Sequence, residues 1–183
     1  MSGARSRRTG ASFERQVANL LTGATGVRWA RTKPGDFQEW GDITPRGLLD
    51  GPWADVFVEC KAHQSVFPRH LLKPTKQIVE WWDTTCEQAD NVSRNPVMFV
   101  RFKGFGVVMI AHSETMESFG YHAPSGNWEV SLPFDYGTPG PVVAVEAEVV
   151  VTFQAVNKTR QGEHDANDEE RALRIVDPFE LPF

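Results

Sequence analysis

Between residues 11 and 22 the apolar positions Phe13, Val17, Leu20 and Leu21 recur at i, i+4, i+7 and i+8. That is the stripe of an amphipathic helix, and Gly23 suits its C-terminal stop. Glu14 sits beside the stripe rather than opposite it, within reach of the core's edge. Val27 to Arg31 reads as a short strand, and Pro34 and Gly35 break regular structure between Thr32 and Trp40, predicting a mobile loop. Residues 54 to 61, Ala-Asp-Val-Phe-Val-Glu-Cys-Lys, predict a strand preceded by the turn Asp50-Gly51-Pro52. The segment Gly41 to Leu49 before that turn is expected to pair with this strand as a hairpin. Period-two alternation puts Asp55, Phe57, Glu59 and Lys61 on one face, and Ala54, Val56, Val58 and Cys60 on the other.

Farther along, Thr75, Ile78, Val79, Trp82, Cys86 and Ala89 follow helical spacing behind Pro74, which suits a first-turn position. Pro96 to Phe102 and Val107 to Ala111 are β-rich runs joined by Lys103-Gly104-Phe105-Gly106, a second hairpin or a tight connection. The order helix, three strands, helix, two strands predicts an α/β fold with a mixed central sheet flanked by helices. Residues 142 to 153 alternate as one long half-buried strand, a β-rich extension that either widens the sheet or pairs with a second subunit. Asn157 to Glu170 is polar and aperiodic, predicting a flexible acidic linker to an apolar C-terminal tail. The expected organisation is a core over residues 1–112, its extension over 113–156, and the linker and tail over 157–183.

Composition narrows this picture. A chain of 183 residues, 40% hydrophobic with six Trp and twelve Phe, supports one sizeable core and an appendage. No apolar run approaches the roughly 18 residues of a membrane helix. The basic Met1 to Arg8 is followed by no apolar signal core, so a soluble, cytoplasmic protein with no membrane partner is expected. Cys60 and Cys86 form no CxxC pair and read as reduced packing residues. Charge is uneven: residues 1–103 hold 15 Lys and Arg against 11 Asp and Glu, whereas residues 104–183 hold 4 against 13. The net balance of −5 argues against a nucleic-acid partner, but the positive first part does not.

The chemistry lies at the end of the 54–61 strand. Glu59 and Lys61 point the same way, roughly 7 Å apart at the usual strand rise. A metal-seeking oxygen therefore sits beside a fixed positive charge, the pairing that phosphodiester hydrolysis requires. Each residue alone has a structural explanation: Asp42 can begin a strand after a glycine turn, and Glu59 with Lys61 can be a solvent-facing pair. Asp55 lies roughly 13 Å from Glu59 along the same face and is ranked a surface residue.

Glu14 on a helix, Gly41-Asp42-Ile43, then Val58-Glu59-Cys60-Lys61 and a following helix together resemble the PD-(D/E)xK nuclease superfamily over about residues 10–112. Within it they look most like archaeal-type Holliday junction resolvases and their phage relatives. The resemblance implies a restriction-endonuclease-like core and a Mg²⁺-dependent endodeoxyribonuclease acting on branched DNA in recombination or repair, with Mn²⁺ able to substitute. Asp42, Glu59 and the carbonyl of Cys60 would be metal ligands, with Glu14 touching the ion through water or holding the site's shape. Lys61 would orient the attacking water and stabilise charge on the phosphate. Gln77, at the start of the second helix, is the better candidate than Lys76 for a phosphate-contacting or water-positioning side chain. A homodimer and a phage source, hence the host cytoplasm, are further implications.

Arg28, Arg31, Lys33, Trp40, Arg46, Arg69, His70 and Lys73 flank these residues as candidate phosphate contacts that would read DNA shape rather than sequence. The terminal Asp177-Pro-Phe-Glu-Leu-Pro-Phe183 resembles the acidic, Pro-Phe-ended tails by which bacterial single-strand-binding proteins recruit partners. The tail therefore either binds a protein partner or folds back on its own surface. Two other functions stay open: a PD-(D/E)xK nuclease of restriction-like, repair or exonucleolytic type, and a DNA-binding or recruitment module without catalysis.

Overall fold

The computed structural model describes residues 3–33, 35–36, 40–63, 75–102, 106–120, 130–132 and 142–146. The linker and tail expected over 157–183, and Arg69, His70 and Lys73, lie outside these residues.

Helix α1 runs over Gly3–Thr25, longer at both ends than its apolar stripe. Phe13, Val17 and Leu21 are fully buried. The helix passes through Gly23 and stops at Gly26, whose φ of 71° is the left-handed conformation that ends a helix, with its N–H donated to the Thr22 carbonyl at 3.0 Å. Thr25 explains the extra turn. Its hydroxyl donates to the Leu21 carbonyl at 2.8 Å and accepts the buried Trp29 indole N–H at 3.0 Å. Thr25→Val keeps the shape but orphans that indole, so a loss of about 2 kcal/mol is expected in urea unfolding.

Strand β1 (Trp29–Arg31) pairs antiparallel with β2 (Ile43–Pro45) in a two-stranded sheet. A 3-10 turn, Pro52–Asp55, leads into β3 (Val56–Ala62), and helix α2 (Lys76–Asp90) carries the chain to β4 (Asn95–Phe102) and β5 (Gly106–His112). A short helix α3 (Ser113–Ser118) follows, then β6 (Val130–Leu132) and β7 (Val142–Glu146). The larger sheet has the order β3-β4-β5-β7-β6, with β3 and β4 parallel and the other pairs antiparallel. The molecule is thus a mixed α/β fold with helices on both faces of a mixed sheet.

Two expectations for the strands also change. The hairpin partner of β2 is β1 rather than β3; what joins this segment to β3 is a single parallel bridge from Gly41 to Val58. The exposed Asp55 closes the 3-10 turn and is not on the strand at all, because Pro52 and the buried Trp53 set a turn there that delays β3 to Val56.

Both faces of β4 and β5 are apolar, as in a sheet covered on both sides. On one face Val97, Phe99, Met109 and Ala111 pack with Phe13, Val17 and Leu21 of α1. On the other, Met98, Val100, Val108 and Ile110 pack with Ile78 and Trp82 of α2. Register follows from these clusters. Glu59 lies opposite Met98 and Lys61 opposite Val100, so both project on the α2 side; Val58 and Cys60, opposite Val97 and Phe99, face α1.

Candidate active site

At the outer edge of β3 the backbone at Gly41 comes in close against Val58. Gly41 has a φ of 82°, and a Cβ built on it would lie 2.9 Å from the Val58 carbonyl carbon and closer still to its oxygen. Only glycine allows this contact. It brings the next residue, Asp42, against the strand. Three hydrogen bonds hold Asp42: its N–H donates to the Val58 carbonyl at 2.8 Å, its carbonyl accepts the Thr32 N–H at 2.9 Å, and its Oδ2 accepts the Cys60 N–H at 2.8 Å. In an extended strand the N–H and C=O of one residue point to the same edge. The carbonyl of Cys60 therefore faces the edge where Asp42 sits.

The other charged groups close in from the two faces. Glu59 projects on the α2 side and is paired with Lys61; both side chains are largely buried. Glu14 comes from α1 and is paired with Arg31 of β1. Burial, then the negative charge of Glu59, then that of Glu14, push the Asp42 carboxyl from its ordinary 3.8 up to about 7, against the opposing pull of the Cys60 N–H and Lys61. The Cys60 thiol is also raised well above its usual range, first by burial and then by Asp42, Glu59 and Glu14. It stays a neutral thiol, unsuited to act as nucleophile or metal ligand.

The donors gathered here are oxygens: three carboxylates and a strand carbonyl. Hard divalent cations take such ligands, and a bound cation would offset both the burial and the mutual repulsion that lift Asp42. Glu14 and Glu59 are turned toward their cationic partners, and among the described residues no three His, Cys, Asp or Glu converge as a ready cage. The residues fit an open site with few protein ligands.

Of the residues singled out in the sequence, Asp42, Glu59, Lys61, Cys60 and Glu14 lie together. Gln77 lies half-buried in the first turn of α2, outside this hydrogen-bonded group, and Lys76 pairs with Glu80 on the exposed helix face. Arg31 and Arg46, expected as phosphate contacts, are engaged within the protein: Arg31 with Glu14, and Arg46 with Asp36 at 2.8 Å and the Arg31 carbonyl at 3.1 Å. Trp40 packs edge-on against Trp29, with the Arg94 guanidinium 3.7 Å above its ring. Arg94 carries no signal in the sequence, since a lone arginine after a helix belongs to no pattern. No described helix is long and apolar enough to cross a membrane.

A family model described as "Phage putative PDDEXK endonuclease" matches residues 5–130, reaching past α3. No curated protein and no solved structure matches the chain.

Proposed function

We propose a function from one premise: the chain belongs to the phage PD-(D/E)xK endonuclease family, and is a nuclease. The proposed activity is metal-dependent hydrolysis of phosphodiester bonds in branched duplex DNA, as in a Holliday junction resolvase, with Asp42, Glu59 and Lys61 at the cut. The observation that supports this site most directly is the Cys60 N–H donated to the Asp42 carboxylate. That bond ties the aspartate to the very strand that carries Glu59 and Lys61.

Asp42, Glu59 and the Cys60 carbonyl would hold a Mg²⁺ ion, with Mn²⁺ a workable substitute and Glu14 interacting through water. A divalent cation bound there supplies Lewis-acid polarisation of the phosphate and a more acidic water. Lys61, held beside Glu59, places a positive charge where negative charge grows on the phosphate, and orients the attacking water. Glu14 keeps Arg31 against the site and so sets its charge balance. Gln77, at the start of α2, positions the water or a phosphate oxygen. Symmetric cutting of a four-way junction needs two such sites, so the active form is a homodimer.

The test compares turnover of a four-way junction, a flap, a nicked duplex and a linear duplex with Mg²⁺. The junction is expected to be cut at least about tenfold faster than the linear duplex; equal or preferred cutting of the linear duplex sinks the junction specificity. Lys61→Ala is expected to lower kcat about a hundredfold with little change in KM. Undiminished kcat in that variant removes Lys61 from the chemistry.

A further inference from the structure

One half-buried cation near the site has no acidic partner among the described residues. Arg101, next to last on β4, lies opposite Ala62, one register step beyond Lys61 and at the same end of the sheet. Its parity places it on the α1 face, the face of Cys60 and Glu14. Its guanidinium rests 4.6 Å from the Phe13 ring centroid and donates through Nη2 to the Gln16 side-chain oxygen. Arg31, Arg46, Lys61 and Lys76, by contrast, each face a carboxylate, and the half-buried Arg94 is engaged by the Trp40 ring and the Ala54 carbonyl.

Helix geometry explains the arrangement. At about 100° per residue, positions 14 and 16 fall on opposite flanks of position 13. With Phe13 sunk in the core, α1 sends Glu14 toward the Asp42 edge and Gln16 toward β4. A guanidinium flanked by a ring and a neutral amide is oriented and partly desolvated, yet its charge is left for an anion. It lies about two strand spacings, roughly 10 Å, from the edge carrying Asp42.

We propose that Arg101, braced by Phe13 and Gln16, is a phosphate-anchoring residue: it grips a DNA phosphate flanking the one that is cut. This rests on the nuclease function proposed above. Arg101 does not touch the reacting atoms; it fixes the register of the DNA strand over Asp42, Glu59 and Lys61.

The test uses full-length protein and a labelled four-way junction, with binding read by fluorescence anisotropy in EDTA, and cleavage kinetics read separately with Mg²⁺. Arg101→Gln is expected to weaken binding about tenfold and to reduce the slope of log K against log salt by about one. In cleavage, KM should rise more than kcat falls. Gln16→Glu guards against a folding defect, because it keeps Arg101 in place and hands it an acidic partner. It is expected to be at least as heat-stable as wild type and to weaken binding severalfold, whereas Asn19→Asp, a new charge one turn away on the exposed face of α1, should change binding less than twofold. Wild-type affinity and salt slope in both Arg101→Gln and Gln16→Glu overturn the anchor while leaving the nuclease function standing. Equal effects of Gln16→Glu and Asn19→Asp also overturn it, by reducing it to a general charge effect. Wild-type protein that neither binds nor cuts DNA overturns both.

Discussion

Asp42→Asn is expected to lower DNA cleavage by at least about a thousandfold and, in the same protein, to make the metal-free fold more stable. Asparagine keeps an oxygen for the Cys60 N–H and fits the same space, so the hydrogen-bonded edge survives. What disappears is a negative charge that is buried and, beyond that, crowded by Glu59 and Glu14. The sign of the effect follows from the carboxyl's rise from 3.8 to about 7 on folding. The folded state binds this proton more tightly than the unfolded state, which favours folding below about pH 4 and is lost as pH rises through about 7. Above that, the ionised Asp42 costs the metal-free fold about 4 kcal/mol relative to its protonated form. Urea unfolding in EDTA should therefore find Asp42→Asn the more stable protein at about pH 9, with the difference shrinking toward about pH 4. A variant less stable than wild type at the higher pH contradicts the cost of burying and crowding that charge. Cleavage that survives the substitution contradicts the site.

Gly41→Ala should be nearly as damaging for a different reason. The residue would have to carry a side chain at a φ of 82° while its Cβ pressed on the Val58 peptide. Strain and displacement together should cost about 3 kcal/mol. Because the bridge from Gly41 to Val58 is what delivers Asp42 to the strand, the damage reaches the chemistry too. Thermal unfolding should show the loss of stability, and cleavage should fall at least about a hundredfold, since a shift of about an ångström in a reacting group is enough for that. If the variant melts with wild-type protein and cuts DNA normally, the close approach at Gly41 does not govern the position of Asp42.

Much of this could be read along the chain. The stripe of Phe13, Val17 and Leu21 marks α1, the spacing of Ile78, Trp82 and Ala89 marks α2, and the doubly apolar runs mark β4 and β5, because burial selects residue types at the period of each element. The end of β3 was equally plain, since Glu and Lys two apart on a strand must share a face. Where α1 ends was less so: Gly23 has the composition of a stop, but Gly26 has the backbone of one, and the difference is made by Thr25 reaching the Trp29 indole.

The amino-acid pattern by itself thus determined that α1, α2, β3, β4 and β5 form, which faces they bury, and that three carboxylates and a lysine accompany them. Tertiary structure alone decided that β2 turns back on β1, that Gly41 meets β3 in a parallel bridge, that Arg31 is given to Glu14, and that Arg101 finds a ring and an amide. The physical reason is that backbone N–H and C=O groups are the same in every residue. Periodicity records which face of a strand is buried, whereas the choice of partner at its edge, and of partner for each charge, is made by long-range contacts that exist only once the layers have packed.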